Sequence, residues 1–261
     1  MSFELSEARH VLVTGAAGAI GGALARALSA QTARARLTLV DQDARGVQTL
    51  ARELGAAARA ASWDLACPEE LPAAYAAATE DCPVDVLVNC AGIMELRTFA
   101  GTPWALGSRL LNVDLVSPAR LMSLAVPGMC ARGSGLVVNV ASLAGVLPIR
   151  GASFYAAAKA GIAALSEIAH LELATDGVHV VTVYPGPVSS GLERRARAQV
   201  RSTPVARWLP VGSAERLAAR IVDAAQAREA RVVFPPVYVV AAHALGLARA
   251  VTRRWSPQPF E

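Results

Sequence analysis

The feature that most constrains the fold is a regular alternation between short apolar runs, rich in Val and Leu, and longer stretches with helical periodicity. We predict seven strands, at 10–15, 36–41, 58–64, 84–92, 135–142, 178–186 and 231–234. Helical patterns lie between them, at 20–30, 44–54, 69–79, 103–131, 153–175 and 213–227. Such alternation indicates βαβ units, and continuous apolar runs are typical of strands buried on both faces. We therefore expect one α/β domain over residues 1–261, with a doubly wound, parallel, seven-stranded sheet.

The composition excludes several classes of protein. The chain has a net charge of +4, and its basic residues are mostly scattered without interleaved aromatic residues, which argues against a nucleic-acid partner. Its four cysteines form no C-x-x-C pair, so we predict no metal site and favour a reducing cytoplasm. The first ten residues are polar rather than signal-like, and the apolar run 237–248 is too short for a transmembrane segment.

Polar residues or glycine follow almost every predicted strand, which is where parallel sheets bind ligands. These residues are Gly15, Asp41, Asp64, Asn89, Ser142 and the pair Pro185-Gly186. In VTGAAGAIGG, Gly15 allows a tight turn, Gly18 and Gly21 allow close backbone approach, and the following helix N-terminus suits a pyrophosphate. Any tight strand-to-helix turn also favours glycine, so the surrounding α/β pattern is needed to predict a dinucleotide site.

Asp41 ends the second predicted strand and bears on the choice of cofactor. A carboxylate at this place accepts both ribose hydroxyls of an adenosine and repels a 2′-phosphate, which favours NAD over NADP. The alternative is an aspartate that caps a helix or a turn. Arg45 is close enough in sequence to weaken the preference for NAD.

One lysine, Lys159, stands in a chain that otherwise carries only arginine as its strong base. It follows Tyr155 by four residues, so the two side chains share a helix face. A nearby ammonium stabilises a phenolate and lowers the pKa of tyrosine, which then exchanges a proton with an alcohol or a ketone. Arginine is planar and never deprotonates, so lysine suits this task better. The alternative is a chance survivor of a coding bias.

Two further residues are candidates for the same chemistry. Ser142 ends the fifth predicted strand, where its hydroxyl could hold the reacting oxygen beside Tyr155. Asn112 lies inside the helical pattern 103–131, where asparagine is a mediocre helix former. Alone, Ser142 reads more readily as a turn or cap residue, and Asn112 as a tolerated or solvent-facing one.

Together these residues resemble the classical short-chain dehydrogenase/reductase family over the chain up to about residue 235. The motifs that carry the resemblance are TGAAGAIG, Asp41, Asp64, Asn89-Cys90-Ala91-Gly92, Asn112, Ser142, Tyr155-x-x-x-Lys159 and Pro185-Gly186. The resemblance implies a single Rossmann-type domain that interconverts alcohol and carbonyl groups of a small molecule with NAD or NADP. It also implies a homo-dimer or homo-tetramer.

The resemblance assigns a role to each matching residue. Tyr155 looks like the general acid/base, Lys159 like the group that lowers its pKa and binds the nicotinamide ribose, and Ser142 like the anchor of the substrate oxygen. Asn112 looks like the holder of a relay water at a helix distortion, and Asp64 like the adenine contact. The implied cofactor contacts are Gly15, Ala17, Gly18, Ala19, Ile20, Gly21, Asp41, Asp64, Leu65, Asn89, Ala91, Gly92, Tyr155, Lys159, Pro185, Gly186, Val188 and Ser190.

The chain departs from the family pattern in its glycine turn. Ala19 replaces the middle glycine of T-G-x-x-x-G-x-G, and the observed spacing fits T-G-x-x-G-x-x-G, typical of extended epimerases and dehydratases. The short length, the Asn89–Gly92 segment and the Pro-Gly pair favour the classical branch. Cys90 stands where a second Asn is common, and Ser190 where Thr is common.

The remaining segments bear on the substrate. We expect 187–212 to form a substrate lid, whose arginines at 194, 195, 197, 201 and 207 are read as a solvated face in preference to an anion-attracting mouth. Apolar residues around the predicted centre indicate a mostly hydrophobic substrate; they are Ile93, Met94, Leu143, Val146, Leu147 and Phe154. The tail 235–261 resembles an amphipathic helix that covers the pocket, contacts a subunit or, with less support, touches a membrane surface.

Three classes of function remain open on the sequence. The leading one is an oxidoreductase for a secondary alcohol or ketone, with a 3-oxoacyl thioester reductase as an alternative form. An NAD-binding epimerase or dehydratase is supported only by the glycine spacing. A non-catalytic nucleotide sensor has no use for Tyr155 and Lys159 together.

Overall fold

The computed structural model describes residues 4–32, 34–201, 210–239 and 244–260. Seven parallel strands form one sheet in the order β3-β2-β1-β4-β5-β6-β7. They are β1 (His10–Thr14), β2 (Arg36–Asp41), β3 (Ala58–Ser62), β4 (Val86–Asn89), β5 (Gly135–Val140), β6 (Val178–Pro185) and β7 (Arg231–Phe234). The predicted doubly wound, Rossmann-type sheet is confirmed. Five of the strands, β1 and β3 to β6, end one to three residues before their predicted limits, so Cys90–Gly92 and Ser142 lie in loops beyond the sheet.

The α-helices that the structure describes agree with the predicted patterns, including a helix in the C-terminal tail, and add one more within 187–212. They are α1 (Ala19–Gln31), α2 (Ala44–Leu54), α3 (Leu71–Thr79), α4 (Trp104–Leu111), α5 (Ser117–Arg132), α6 (Ser153–Leu173), α7 (Gly191–Ala198), α8 (Ala214–Gln226) and α9 (Leu245–Trp255). The long pattern 103–131 is divided by a π-helical turn at Asn112–Val116, and α7 lies within the predicted lid.

Helices cover both faces of the sheet, which explains the apolar strand sequences. In β1, Val11 and Val13 pack in one core cluster, against α1, α2 and α8, while Leu12 packs in the other, against α3 and α5. All three side chains are fully buried, as a strand between two helical layers requires. No helix in the described parts of the chain is both long and apolar enough to cross a membrane.

The order of the strands positions the ligand site. The chain leaves β1 toward β2 on one side, whereas β4 pairs with β1 on the other, with Thr14 opposite Asn89. Loops that leave neighbouring strands in opposite directions open a crevice at the carboxyl edge of the sheet. The loops after β1, β4, β5 and β6 all meet at this crevice.

Candidate active site

A cleft of about 810 Å³ lies at the carboxyl edge of the sheet. It runs from the glycine turn after β1 to Tyr155 and onward to the C-terminal segment. Of the predicted site residues, only Asn89 and Asn112 are absent from its walls. The fold therefore gathers almost the whole set, drawn from loops far apart in sequence, around a single space.

The glycine turn has the shape that close packing requires. Gly15 has a φ of +70°, and a β-carbon there would lie 2.7 Å from the backbone nitrogen of Ala91. A β-carbon on Gly21 would overlap the carbonyl oxygen of Gly15. Ala19 is exposed at the start of α1, so its methyl group is accommodated. No side chain caps α1, which leaves its first N–H groups for an anion in the cleft.

Two aspartates line the cleft near the glycine turn. The two oxygens of Asp41 accept hydrogen bonds from the N–H groups of Ala17 and Asp43, each at 3.0 Å. This carboxylate thus ties the glycine turn to the end of β2. Asp64 accepts from the N–H of Ala66 at 2.9 Å and lies beside Leu65 on the cleft wall.

Asn89 lies behind the cleft wall and does not line the cleft. Its buried amide donates to the side-chain oxygen of Asn139 at 2.8 Å, which joins β4 to β5. The hydroxyl of Thr14 accepts from the N–H groups of Cys90 and Ala91, at 3.1 and 3.2 Å. These bonds hold the loop after β4 close to the glycine turn.

Ser142, Tyr155 and Lys159 meet at the other end of the cleft. Lys159 Nζ lies 5.8 Å from the centre of the Tyr155 ring and donates to the carbonyl of Val140 at 2.9 Å. The Ser142 hydroxyl accepts a hydrogen bond from the N–H of Ala144 at 3.1 Å, and it lies close enough to Tyr155 to lower the pKa of the phenol. A β-carbon on Gly145 would lie 2.8 Å from the Lys159 backbone carbon, so glycine lets this loop reach α6.

Burial and charge together set the protonation of this group. Burial raises the pKa of Tyr155, and Asp114 adds to the rise, while Lys159 and Ser142 lower it by smaller amounts. Burial alone would lower the pKa of Lys159, but Asp114 and Tyr155 outweigh it and the pKa is raised. Lys159 does exert the predicted lowering on the pKa of Tyr155, yet it does not outweigh burial. At neutral pH the site holds a phenol beside an ammonium.

The π-helical turn occurs where the sequence predicted a helix distortion, but it presents a different residue to the site. The amide of Asn112 donates to the carbonyl of Ala66 at 2.9 Å and steadies the loop after β3. Asp114 is instead the residue that reaches Lys159, with Oδ1 at 3.1 Å from Nζ. Sequence reasoning missed Asp114, although an acidic residue within the apolar stretch LLNVDLV was a signal for it.

The loop after β6 closes the site from the side. Gly186 donates its N–H to the carbonyl of Phe234 at 2.7 Å, and a β-carbon there would lie 2.9 Å from the Tyr238 ring. Val188 is buried against Gly212. Ser190 caps α7 by accepting from the N–H of Glu193 at 3.1 Å. Pro185, Gly186, Val188 and Ser190 therefore form one continuous wall.

The walls near Tyr155 are mostly apolar. Four of the predicted residues line them, namely Ile93, Met94, Leu143 and Leu147. Phe154 instead stacks on Phe99 with ring centres 5.9 Å apart, outside the cleft, and Val146 is likewise absent from the walls. Arg195 and Arg197 line the mouth, and Arg197 is ion-paired with Glu193. Arg207 lies outside the described residues.

The C-terminal segment folds back over this end of the cleft. Val251, Thr252 and Trp255 of α9 line the walls, together with Ser256 and Pro257. The Arg150 N–H donates to the Ser256 hydroxyl at 2.9 Å, and the Arg150 guanidinium reaches the carbonyl of Arg253 at 3.1 Å. The structure thus brings the tail to the pocket; part of the predicted amphipathic stretch, 240–243, lies outside the described residues.

Comparison with known proteins identifies relatives of this chain. A family model described as short chain dehydrogenase matches residues 9–201. The chain is 36% identical over 216 residues to the cis-4-hydroxycyclohexanecarboxylate dehydrogenase of Sinomonas cyclohexanicum, covering 80% of this chain and 84% of that protein. It is 31% identical over 210 residues to the 3-oxoacyl-(acyl-carrier-protein) reductase of Vibrio cholerae, covering 79% and 84%.

A solved structure agrees over almost the full length. A short-chain dehydrogenase from Sphingobium yanoikuyae in complex with NADPH superposes with a TM-score of 0.79 at 28% identity. The match covers 94% of this chain and 95% of that one. The likeness therefore includes the region around the cleft as well as the central sheet.

Proposed function

The chain belongs to the short-chain dehydrogenase/reductase family, and on that premise we propose that it interconverts a secondary alcohol and a ketone of a mostly apolar substrate, with NAD as the preferred cofactor. Its class is that of the NAD(P)-dependent oxidoreductases that act on alcohol and carbonyl groups. The observation that carries the proposal is the grouping of Ser142, Tyr155 and Lys159 at the apolar end of the cleft.

The residues divide the chemical work between them. The nicotinamide cofactor supplies the hydride acceptor or donor. Ser142 holds the substrate oxygen by a hydrogen bond, and Tyr155 gives that oxygen a proton in reduction or takes one in oxidation. The Lys159 ammonium stabilises the phenolate that reduction leaves behind. Since burial raises the pKa of Tyr155, its phenol is fully protonated at neutral pH and can act as the proton donor.

The groups lining the long arm of the cleft fit a dinucleotide. The uncapped N-terminus of α1 would hold the diphosphate, and the loop Cys90–Gly92 would flank the chain of the cofactor. Lys159 would bind the nicotinamide ribose, and the wall from Pro185 to Ser190 would meet the nicotinamide.

The preference for NAD rests on Asp41. Its carboxylate is held against the glycine turn, where a 2′-phosphate would bring like charges together. The relative from Sphingobium yanoikuyae binds NADPH, and Arg45 lies on a neighbouring cavity near the turn, so the two cofactors must be compared directly. We expect tighter binding of NADH than of NADPH in fluorescence titrations, and a reversal of that order would overturn the preference.

A 3-oxoacyl thioester reductase is the second candidate function. Arg195 lies at the mouth of the cleft, where it could attract the phosphate of a carrier group. The similarity to the reductase from Vibrio cholerae also favours it. Replacing Arg195 by Ala should then impair turnover of a thioester and spare a neutral alcohol. Equal turnover of the thioester by both proteins would count against this candidate.

The deciding experiment measures turnover with each cofactor on secondary alcohols, steroids, sugars and 3-hydroxyacyl thioesters. We expect turnover with NAD that falls at least about 100-fold in Tyr155→Phe. Tyr75→Phe is the matched control, since Tyr75 packs in the core outside the cleft. Binding of NADH with no turnover of any compound would favour a nucleotide sensor instead.

We also propose that the chain forms a homo-dimer or homo-tetramer and works in the cytoplasm. Large apolar side chains are exposed on α6, with Ile168 at 55% and Leu171 at 76%. All four cysteines are free thiols, which suits a reducing compartment. Leu171→Glu should lower the mass in sedimentation, whereas Leu247→Glu on α9 should not. The opposite result would assign the subunit contact to the tail.

A further inference from the structure

Asp114 is the most deeply buried acidic residue of the site. It lies in the π-helical turn with no solvent exposure, and its Oδ2 accepts a hydrogen bond from the N–H of Ile93 at 3.3 Å. Its other oxygen, Oδ1, lies 3.1 Å from Lys159 Nζ. The π turn therefore places a buried carboxylate directly beside the lone lysine.

The loop after β4 is shaped to admit this carboxylate. A β-carbon on Gly92 would lie 2.8 Å from Asp114 Oδ1 and 3.4 Å from Lys159 Nζ. Only glycine leaves room at this point, even though its backbone does not need a positive φ. The glycine, the carboxylate and the ammonium thus form one packed unit.

The unit fixes the direction in which Lys159 can donate. An ammonium has three hydrogens. One bonds to the Val140 carbonyl at 2.9 Å, and the positive charge is paired with Asp114 Oδ1, which lies 3.1 Å from Nζ in the π turn. The rest of the ammonium faces the cleft, where Tyr155 lies and where a ribose hydroxyl would bind.

We propose that Asp114 is a positioning residue, which anchors the Lys159 ammonium and keeps it protonated beside Tyr155. This inference rests on the proposed function for its meaning in catalysis, but the ion pair is testable without turnover. It assigns the support of Lys159 to a carboxylate at 114. Asn112, which the family resemblance gave as the holder of a relay water, has its amide bound to the carbonyl of Ala66.

The charged neighbours determine what loss of Asp114 would do. Lys159 is faced by Asp114 from the π turn, Tyr155 from α6 and Cys90 from the loop after β4. Burial raises the pKa of the Cys90 thiol to about 12, so it is neutral in the working range. Asp114 raises the pKa of Lys159 and also that of Tyr155. Asp114→Asn should therefore lower both.

The single lysine allows a direct test. Protein labelled with ¹³C at the lysine ε-carbon, without a tag that contains lysine, gives the signal of Lys159 alone. In the wild type, we expect the ammonium to remain more than half charged at pH 10.5, the ordinary pKa of lysine. In Asp114→Asn, we expect the midpoint at a lower pH. Equal midpoints in the two proteins, or a wild-type lysine half neutral below pH 10.5, would overturn the proposal.

Two further variants separate anchoring from general damage. Asp85→Asn is the matched control, because Asp85 is a buried carboxylate paired with Arg9 and Arg132 far from the cleft. It should cost stability and leave the Lys159 midpoint in place. Asn112→Ala should also leave the midpoint in place. A shift in Asn112→Ala without one in Asp114→Asn would return the role to Asn112. If Asp114→Asn does not fold, the wild-type titration still decides.

Turnover supplies the second readout. In alcohol oxidation, the rising limb of kcat against pH should move to lower pH in Asp114→Asn, because the phenolate forms earlier. A fall should follow at high pH as Lys159 loses its proton. A lower kcat with no change in the pH at which either limb of the profile lies would indicate a structural role only and would contradict the proposal. Absence of turnover in the wild type would refute the proposed function, while the lysine titration would still report on the pair.

Discussion

At the scale of single residues, the site depends on a cation small enough for a crowded place. Lys159 is only 4% exposed and has acceptors on two sides, at 2.9 Å and 3.1 Å. A guanidinium carries the same charge but spreads it over a plane that these two acceptors do not match. The geometry thus gives a physical reason why a chain with 24 arginines keeps one lysine here.

The first prediction is that Lys159→Arg fails although it preserves the charge. The larger head group would have to displace either Asp114 or the loop at Gly92, and its donors would no longer face Tyr155. We expect kcat to fall at least about 100-fold, as for loss of a general acid/base partner. Steady-state kinetics would measure this, and circular dichroism would verify the fold. Activity within a few fold of wild type would mean that charge alone suffices.

At the scale of elements, the α1 turn shows how a contact fixes residue type. Gly21 faces the carbonyl of Gly15, so Gly21→Ala must push α1 away from β1. We expect loss of NADH binding and a lower melting temperature. Gly246→Ala is the matched control, since nothing lies near its β-carbon in α9, and it should stabilise the helix by about 1 kcal/mol. Unchanged NADH affinity in Gly21→Ala would contradict the role given to this turn.

The packing of α6 against β6 leads to a further prediction, which concerns the pH dependence of stability. Burial lowers the pKa of His179 to about 4, from an ordinary value of 6.5, and Arg228 and His170 add to the effect. The unfolded chain therefore binds the proton more tightly, and this contribution to stability is lost as pH falls from 6.5 to 4. His179→Gln should flatten this part of the stability profile in urea unfolding. His10, whose pKa burial also lowers, would retain some slope. An unchanged slope would count against His179.

The sequence predicted the elements well because their signals are local. Continuous Val and Leu runs marked most of the strands, with the alanine-rich edge strand β3 as the exception. Gly15, Asp41 and Tyr155 were singled out by their places relative to the predicted strands and to Lys159. The resemblance implied a helix distortion at Asn112, but it could not show that Asp114 would face Lys159, because that contact joins segments far apart in sequence. Asn112 and Asp114 differ by two positions, and only the turn decides which of them faces the site. The raised pKa of Tyr155 was missed for a similar reason, since burial is a property of the assembled fold.

At the scale of the whole molecule, the cleft is closed by a segment beyond the sheet. A bridge between Val200 and Pro259 and the bonds from Arg150 join the tail to both sides of the substrate end. The glycine turn, Asp41 and the loop after β4 line the other end of the cleft, away from the tail. Under the proposed function, we therefore expect the tail to affect substrate binding and not cofactor binding.

The last prediction separates these two parts. A chain that ends at residue 244 loses α9 and the bridge, but keeps Tyr238 against Gly186. We expect its affinity for NADH to stay within a few fold of the full chain, because the glycine turn and Asp41 are untouched. The KM for an apolar alcohol should rise at least about tenfold, since one wall of the pocket is removed.

Trp255→Ala tests the same wall by a single change, with Trp104→Ala as the control, because Trp104 is 70% exposed and lies outside the cleft. A raised KM in Trp255→Ala alone, with mass by gel filtration unchanged, would make the tail a pocket cover. A lower mass on truncation would instead assign it to the subunit contact. In that case the partner chain, and not the substrate, would be what holds α9 in place.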